Sequence, residues 1–98
     1  FELLREVNPV IGKLFTSKTT KRHEMTMENT LIPLDILFLH ENHQIKLHKI
    51  GLAKQHKLVK GVSKDVLEMP FPYCYVNCIQ QGDTVQVIDV NPDALFRL

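Results

Sequence analysis

The residues best suited to chemistry in this chain are carboxylates that stand inside apolar segments. Asp35 follows Pro33 and precedes the run Ile36-Leu37-Phe38-Leu39. Burial of an ionised carboxylate is unfavourable unless the group is paired or hydrogen-bonded. Asp35 is therefore either a structural clamp that accepts hydrogen bonds from the turn at Asn29 and Thr30, or part of a site. In a site it would act as a general acid or base, or as a cation ligand.

A second carboxylate, Glu68, lies within the apolar segment Val66–Met69. If Asp35 and Glu68 face one cleft, the pair is suited to acid–base work of the kind that hydrolases use. The Asn29-Thr30 pair is typical of a turn closed by side-chain-to-backbone hydrogen bonds, and the same side chains are suited to orienting a polar ligand. The candidate ligand-binding residues are thus Asn29, Thr30, Asp35 and Glu68.

The histidines and cysteines do not follow established site patterns. His40 and His43 flank a predicted turn, but no Cys is near them and no HExxH pattern is present, so we predict no metal site. Cys74 and Cys78 are four residues apart, which is not CxxC spacing, and we expect free, packed thiols. Ser-His-Asp signatures, phosphate-binding glycine loops and dinucleotide fingerprints are missing, so no catalytic residue and no cofactor are predicted.

The balance of charges excludes a strong overall field, because 12 Lys+Arg oppose 11 Asp+Glu for a net charge of +1. A lysine-rich stretch nevertheless follows the central segment, and it contains Lys46, Lys49, Lys54, Lys57, Lys60 and Lys64. Such lysines either keep sheet edges soluble and unpaired or attract anionic surfaces. Aromatic and arginine side chains are scarce there, so we expect no nucleic-acid partner.

Apolar periodicity predicts short strands with one helix. The strands are expected at 10–15, 22–28, 34–40, 44–52, 65–69 and 84–90, and the helix at 73–79. Within 44–52, Ile45 and Leu47 are expected to face the core, whereas His48 and Lys49 face outward. The segment 53–64 has few apolar residues and is predicted to be a loop.

These elements predict a single α+β domain over residues 1–98, with a mainly antiparallel, strongly curved or barrel-like sheet of five to six short strands and one short helix. Helices do not alternate with strands as they would in a parallel doubly wound sheet. The sequence has neither a signal-peptide pattern nor an apolar stretch long enough to span a membrane. It begins at Phe1 rather than Met, which indicates a fragment, a processed form or a truncated N-terminus.

Four motifs together resemble domain-of-unknown-function family 192, also called uncharacterised protein family 0127. They are Gly12-Lys13-Leu14-Phe15, Met27-Glu28-Asn29-Thr30-Leu31-Ile32-Pro33-Leu34-Asp35-Ile36-Leu37-Phe38-Leu39, Val66-Leu67-Glu68-Met69-Pro70 and Gln81-Gly82-Asp83-Thr84-Val85. The resemblance implies a small, mainly β domain of bacteria and archaea, often exported, with no established ligand or reaction. It assigns no compartment to this chain.

The chain departs from the family pattern at three places. Thr26 stands where an aromatic residue is usual, Glu28 where Lys or another polar residue is usual, and Phe71-Pro72 where a small Ala-Gly pair is usual. The leading hypothesis is a non-enzymatic domain that binds a ligand or a protein partner around Asn29, Thr30 and Asp35. The alternative is a hydrolase-like enzyme that uses Asp35 and Glu68.

Overall fold

The computed structural model describes residues 12–86, which form six β-strands and one short helix. In chain order these are β1 (Lys13–Phe15), β2 (Lys21–Met25), β3 (Leu34–Leu39), β4 (Ile45–Gly51), β5 (Val59–Ser63), β6 (Asp65–Pro70) and α1 (Tyr73–Val76). All paired strands are antiparallel. The predicted antiparallel α+β fold is therefore confirmed at this level.

The strands divide into two sheets rather than one. A four-stranded sheet has the order β1-β6-β3-β4, and a separate two-stranded sheet pairs β2 with β5. Neither sheet is closed or strongly curled, because β1 and β4 each have a neighbour on one side of their sheet and end it there. The structure thus does not support the barrel-like curvature expected from the short strands.

Strand β3 lies at the centre of the fold, and all six of its residues are buried. Its alternate side chains enter two apolar clusters. Leu34, Ile36 and Phe38 pack with Met27 and other residues on one face, whereas Leu37 and Leu39 pack with Ile45 and Cys74 on the other. A strand that is covered on both faces needs a continuous apolar run, and Asp35 interrupts that run on the second face.

A bulge in β4 corrects the register between β3 and β4. Phe38 pairs with Leu47, but Leu39 pairs with Ile45, so Lys46 is the extra residue. Without this irregularity, a lysine would stand opposite the fully buried Leu39. The bulge instead places Ile45 there, as bulges do when they re-aim side chains.

The predicted loop at 53–64 is wrong at its end, because Val59–Ser63 form β5 and pair with β2. Val59 and Ser63 are buried, Gly61 between them is half-buried, and Lys60 and Val62 are exposed. The strand alternates as a half-buried strand should, but Val59 is the one inward residue that carries a large apolar side chain. The pattern was therefore too polar to be identified as a strand.

The other predicted elements agree with the structure within a few residues at their ends. Of the last predicted strand, an isolated bridge between Gln44 and Thr84 is seen, and positions 87–90 lie outside the described residues, as do positions 10 and 11 of the first. No helix within residues 12–86 is long and apolar enough to cross a membrane.

Candidate functional site

Asp35 lies on the central strand with 1% of its surface exposed. Its Oδ1 atom lies 2.7 Å from His48 Nε2, and its Oδ2 atom accepts a 2.9 Å hydrogen bond from the backbone N–H of Cys74. An ionised carboxylate has no proton to donate, so the imidazole supplies the hydrogen in the first contact. The two donors stabilise a charge that would otherwise be strongly unfavourable at this depth.

The antiparallel register places Asp35 and His48 on the same face of the sheet. Asp35 pairs with Ile50, and Leu37 pairs with His48, so the aspartate and the histidine are diagonal neighbours on adjacent strands. Diagonal neighbours are within reach of long side chains. The His48 side chain remains 26% exposed, so it connects the buried carboxylate with the surface.

Helix α1 supplies the second donor because it begins beside β3. Its first backbone N–H groups have no partner within the helix, and the one on Cys74 points at Asp35. The helix ends after one turn in a Schellman motif, with hydrogen bonds from Cys78 N to Tyr75 O at 3.3 Å and from Ile79 N to Cys74 O at 2.9 Å. Hydrogen bonds therefore hold both ends of this short helix in place.

The thiol of Cys74 is buried against the same carboxylate. Burial, followed by the charge of Asp35 and a hydrogen bond to it, raises the pKa of Cys74 to about 12. A thiol with this pKa is protonated near neutral pH and is a poor nucleophile. One ligand atom each from Asp35, His48 and Cys74 nevertheless lie within 4.8 Å of one another. Within residues 12–86, these three side chains are the group whose donor atoms lie close enough together to hold one metal ion.

A pocket of about 560 Å³ opens over this cluster. Asp35, His48 and Cys74 contribute the polar groups at its base, and its other walls are Ile50, Phe71, Pro72, Tyr75 and Ile79. Phe71 and Tyr75 are exposed on its rim, at 41% and 86%. The pocket therefore combines a largely apolar wall with one convergent polar group, which is typical of small-molecule sites.

Glu68 lies on the opposite face of the sheet from Asp35. It pairs with Ile36 on β3, whereas Asp35 pairs with Met69, and cross-strand partners share a face. Glu68 is buried, and burial raises its pKa above 4.5, while the nearby charge of Lys13 acts in the other direction. The structure thus does not bring Asp35 and Glu68 into one cleft, which the hydrolase hypothesis required.

Asn29 and Thr30 lie in a turn that is separate from Asp35. Thr30 is buried; its N–H donates to Met27 O at 3.1 Å, and its carbonyl accepts from Lys54 N at 2.9 Å. Asn29 is exposed. The predicted clamp from this turn to Asp35 is wrong, because the carboxylate is held by His48 and Cys74 instead. Neither turn residue lines the pocket over Asp35.

The lysine-rich stretch is partly engaged within the protein. Lys46 Nζ donates to Val62 O, and Lys49 Nζ donates to Lys60 O, each at 2.6 Å. Both carbonyls belong to β5, so the two lysines connect the edge of the four-stranded sheet to the second sheet without a backbone ladder. The ammonium groups of Lys46 and Lys49 are therefore structural contacts as well as surface charges.

Sequence reasoning singled out Asp35 but missed His48 and Cys74 as its partners. The alternation of polar and apolar residues in segment 44–52 predicts an outward-facing His48, and the spacing of Cys74 and Cys78 predicts packed thiols. His48 lies two residues before Ile50, the strand partner of Asp35, and this position would have identified it. Using that signal requires the register between β3 and β4. The predicted free thiols are confirmed; Cys74 is packed, but Cys78 is exposed.

Comparison with known proteins identifies a family and a fold. The model of domain-of-unknown-function family 192 (DUF192), described as "Uncharacterized ACR", matches residues 5–87. No curated protein matches the chain. The chain is also similar to a crystal structure from Sinorhizobium meliloti 1021 that is described as a "putative transcription regulator". The TM-score is 0.80 at 24% identity, over 87% of this chain and 68% of the other. At this identity the likeness concerns the fold.

Proposed function

The chain belongs to the DUF192 family, and from the geometry around Asp35 we propose that it is a non-catalytic domain that binds a small molecule. The observation that supports this proposal is the hydrogen-bonded pair of His48 and Asp35 at the base of an apolar pocket. A half-exposed imidazole that is oriented by a buried carboxylate gives a fixed polar contact to a ligand that otherwise binds through apolar surface.

The charges in the pocket favour a particular class of ligand. Asp35 contributes a negative charge, and no lysine or arginine lines the pocket among the described residues. The aromatic rim of Phe71 and Tyr75 suits a ring or an aliphatic chain. The ligand class is therefore a predominantly apolar molecule with one neutral or cationic polar group, such as an aromatic amine or alcohol.

Two features favour binding over catalysis at this site. The Cys74 thiol is kept protonated by burial and by Asp35, so it lacks the activation that thiol nucleophiles need. Asp35 and Glu68 face opposite sides of the sheet, which removes the carboxylate pair of the hydrolase alternative. Asp35 remains the ligand-site residue, acting through His48.

The test compares three probes of one shape and different charge: benzylamine, benzyl alcohol and benzoate. We expect ligand-observed NMR and thermal shift to detect benzylamine or benzyl alcohol, and benzoate to bind more weakly. A ligand at ten times its Kd stabilises the folded protein by about 1.4 kcal/mol, which raises Tm by several degrees in a domain of this size.

A matched pair of variants locates the binding. Ile50 lines the pocket, whereas Leu52, which is also apolar and exposed, lies outside it. Ile50→Ser should weaken binding of the probe, and Leu52→Ser should not. Equal binding of all three probes, or equal effects of the two substitutions, would contradict the proposed site.

A further inference from the structure

We propose that Asp35, His48 and Cys74 form a binding site for a zinc-like divalent transition-metal ion at the base of the pocket. This inference rests on the proposed function for its pocket and names the polar anchor of that site. Each residue supplies a different ligand atom, a carboxylate oxygen, an imidazole nitrogen and a sulfur. This set of donors suits zinc, which accepts N, O and S ligands.

The three donor atoms lie near enough to one another to reach one ion after small adjustments of the side chains. Bonds of roughly 2.0–2.3 Å in tetrahedral geometry separate neighbouring ligand atoms by about 3.3–3.8 Å. The three atoms lie within 4.8 Å of one another, and Asp35 Oδ1 and His48 Nε2 lie 2.7 Å apart. Coordination therefore requires the contact between Asp35 and His48 to widen.

The surroundings hold Asp35 in a position to coordinate. Its Oδ2 atom is fixed by the Cys74 N–H, which leaves Oδ1 as the metal ligand. An outer hydrogen bond of this kind orients a coordinating carboxylate. When the metal binds, the thiol proton leaves to solvent, since cysteine coordinates as the thiolate. The neutral His48 imidazole then carries its hydrogen on Nδ1, which frees the Nε2 lone pair for the metal.

Three protein ligands leave a fourth position, and all three of these residues line the pocket. Zinc sites that exchange ligands have this arrangement, with an open position for water or a bound molecule. With the metal in place, its two positive charges balance the carboxylate and the thiolate. The metal thereby removes the net negative charge that disfavours anions in the metal-free pocket, and its open position accepts oxygen donors. The loaded protein should therefore bind an oxygen-donor ligand such as benzohydroxamate more tightly than the metal-free protein does.

The experiment is a Co²⁺ titration of the reduced protein, followed by displacement with Zn²⁺. We expect a thiolate-to-cobalt charge-transfer band in the near ultraviolet that Zn²⁺ removes. Cys74→Ser should abolish the band, and His48→Gln should lower the affinity by more than about tenfold. Cys78→Ser is the matched control, because that thiol is exposed and outside the cluster, and it should retain the band.

Several results would overturn the proposal. They are the absence of a charge-transfer band in the wild type, its loss in Cys78→Ser, and its persistence in Cys74→Ser. X-ray absorption of the zinc-loaded wild type is independent of any variant's folding, and a first shell without sulfur would also reject the site. If benzylamine binds but Co²⁺ gives no band, the metal site fails and the proposed function stands. If the band forms but no probe binds with or without metal, the proposed function fails instead.

Discussion

At the scale of single residues, the stability of the site depends on the donors to Asp35. His48→Ala removes the donor to Oδ1 and leaves a buried carboxylate oxygen without a protein partner. Because His48 is partly exposed, water can reach the vacated position, and we expect a loss of about 1–3 kcal/mol rather than the larger loss seen for fully buried pairs. Urea unfolding followed by circular dichroism measures this loss.

The controls for that measurement separate hydrogen bonding from the removal of a histidine. His48→Gln retains an N–H donor and should recover part of the stability. His56→Ala removes a histidine that is 91% exposed and 4.0 Å from Glu28, and it should have almost no effect. If His48→Ala and His56→Ala were equally stable, the contact between His48 and Asp35 would contribute nothing.

The two cysteines should differ in reactivity because their surroundings differ. Cys74 is buried with its pKa raised to about 12, whereas Cys78 is exposed. Thiolate is the reactive form, so Cys78 should be alkylated by iodoacetamide at pH 8 while Cys74 reacts only after unfolding. Mass spectrometry of peptides from native and denatured samples measures the two sites. Alkylation of both at similar rates in the native protein would contradict the structure.

Glu68 should make stability depend on pH. Burial raises its folded-state pKa above 4.5, so the folded state holds this proton more tightly than the unfolded chain does. The stability that this group contributes is complete below about pH 4.5 and is lost as pH rises through the folded-state pKa. Glu68→Gln stays neutral at every pH, so it should be more stable than the wild type at pH 7 and similar to it at pH 4. If Glu68→Gln lost the same stability at pH 7 and at pH 4, the raised pKa of Glu68 would be contradicted.

The sequence alone could predict the need for hydrogen-bond partners at Asp35, because this need follows from one residue and its immediate neighbours. An aspartate within an apolar run must have partners, and Asp35 does accept hydrogen bonds from two donors. Its partners lie 13 and 39 positions away in the sequence, on β4 and α1. Contacts at such separations depend on the strand register and on where the helix begins, and the local sequence pattern determines neither of these. The sequence therefore indicated that a donor was needed without identifying it.

At the scale of elements, helix α1 ends at a position that favours glycine. Cys78 has φ of 55°, and it occupies the left-handed residue of the Schellman motif. A residue other than glycine is strained there by roughly 1–2 kcal/mol. Glycine relieves this strain, but its larger entropy in the unfolded chain cancels part of the gain. Cys78→Gly should therefore raise the stability by up to about 1 kcal/mol, measured by urea unfolding.

The neighbouring position provides the control for that substitution. Asn77 has φ of −101°, so Asn77→Gly gains nothing from conformational relief and should lower the stability. Cys78→Ala removes the thiol but keeps the strain, and it should resemble the wild type. If Cys78→Ala stabilised the protein as much as Cys78→Gly, the thiol rather than the backbone would be responsible.

Strand β5 shows why element prediction succeeded for β3 and failed here. The run Ile36-Leu37-Phe38-Leu39 is apolar on both faces, as a central strand requires. The inward positions of β5 are Val59, Gly61 and Ser63, and two of these are residues with little apolar surface. Gly61 in particular is required by close approach to the other sheet, because a Cβ atom there would meet the ring of Phe38. Such requirements arise only when the two sheets are placed against each other.

At the scale of the whole molecule, the two sheets are in close contact where Gly61 meets Phe38. A Cβ atom added at Gly61 would lie 2.5 Å from both Cδ1 and Cε1 of the ring. Phe38 is fully buried in the cluster between the sheets, so it cannot rotate into solvent. The absence of a side chain at this position therefore fixes the spacing of the two layers.

This contact leads to a prediction about the packing of the whole domain. Gly61→Ala should force the layers apart or displace the ring, at about 1–3 kcal/mol, which lowers Tm by roughly 4–8 °C for each kcal/mol. Lys60→Ala, at the exposed neighbouring position, should have a much smaller effect. The double variant Gly61→Ala with Phe38→Leu should lose less than the sum of its single variants, because the smaller side chain relieves the clash. Strictly additive losses would show that the alanine and the ring do not meet, and that the layers are separated elsewhere.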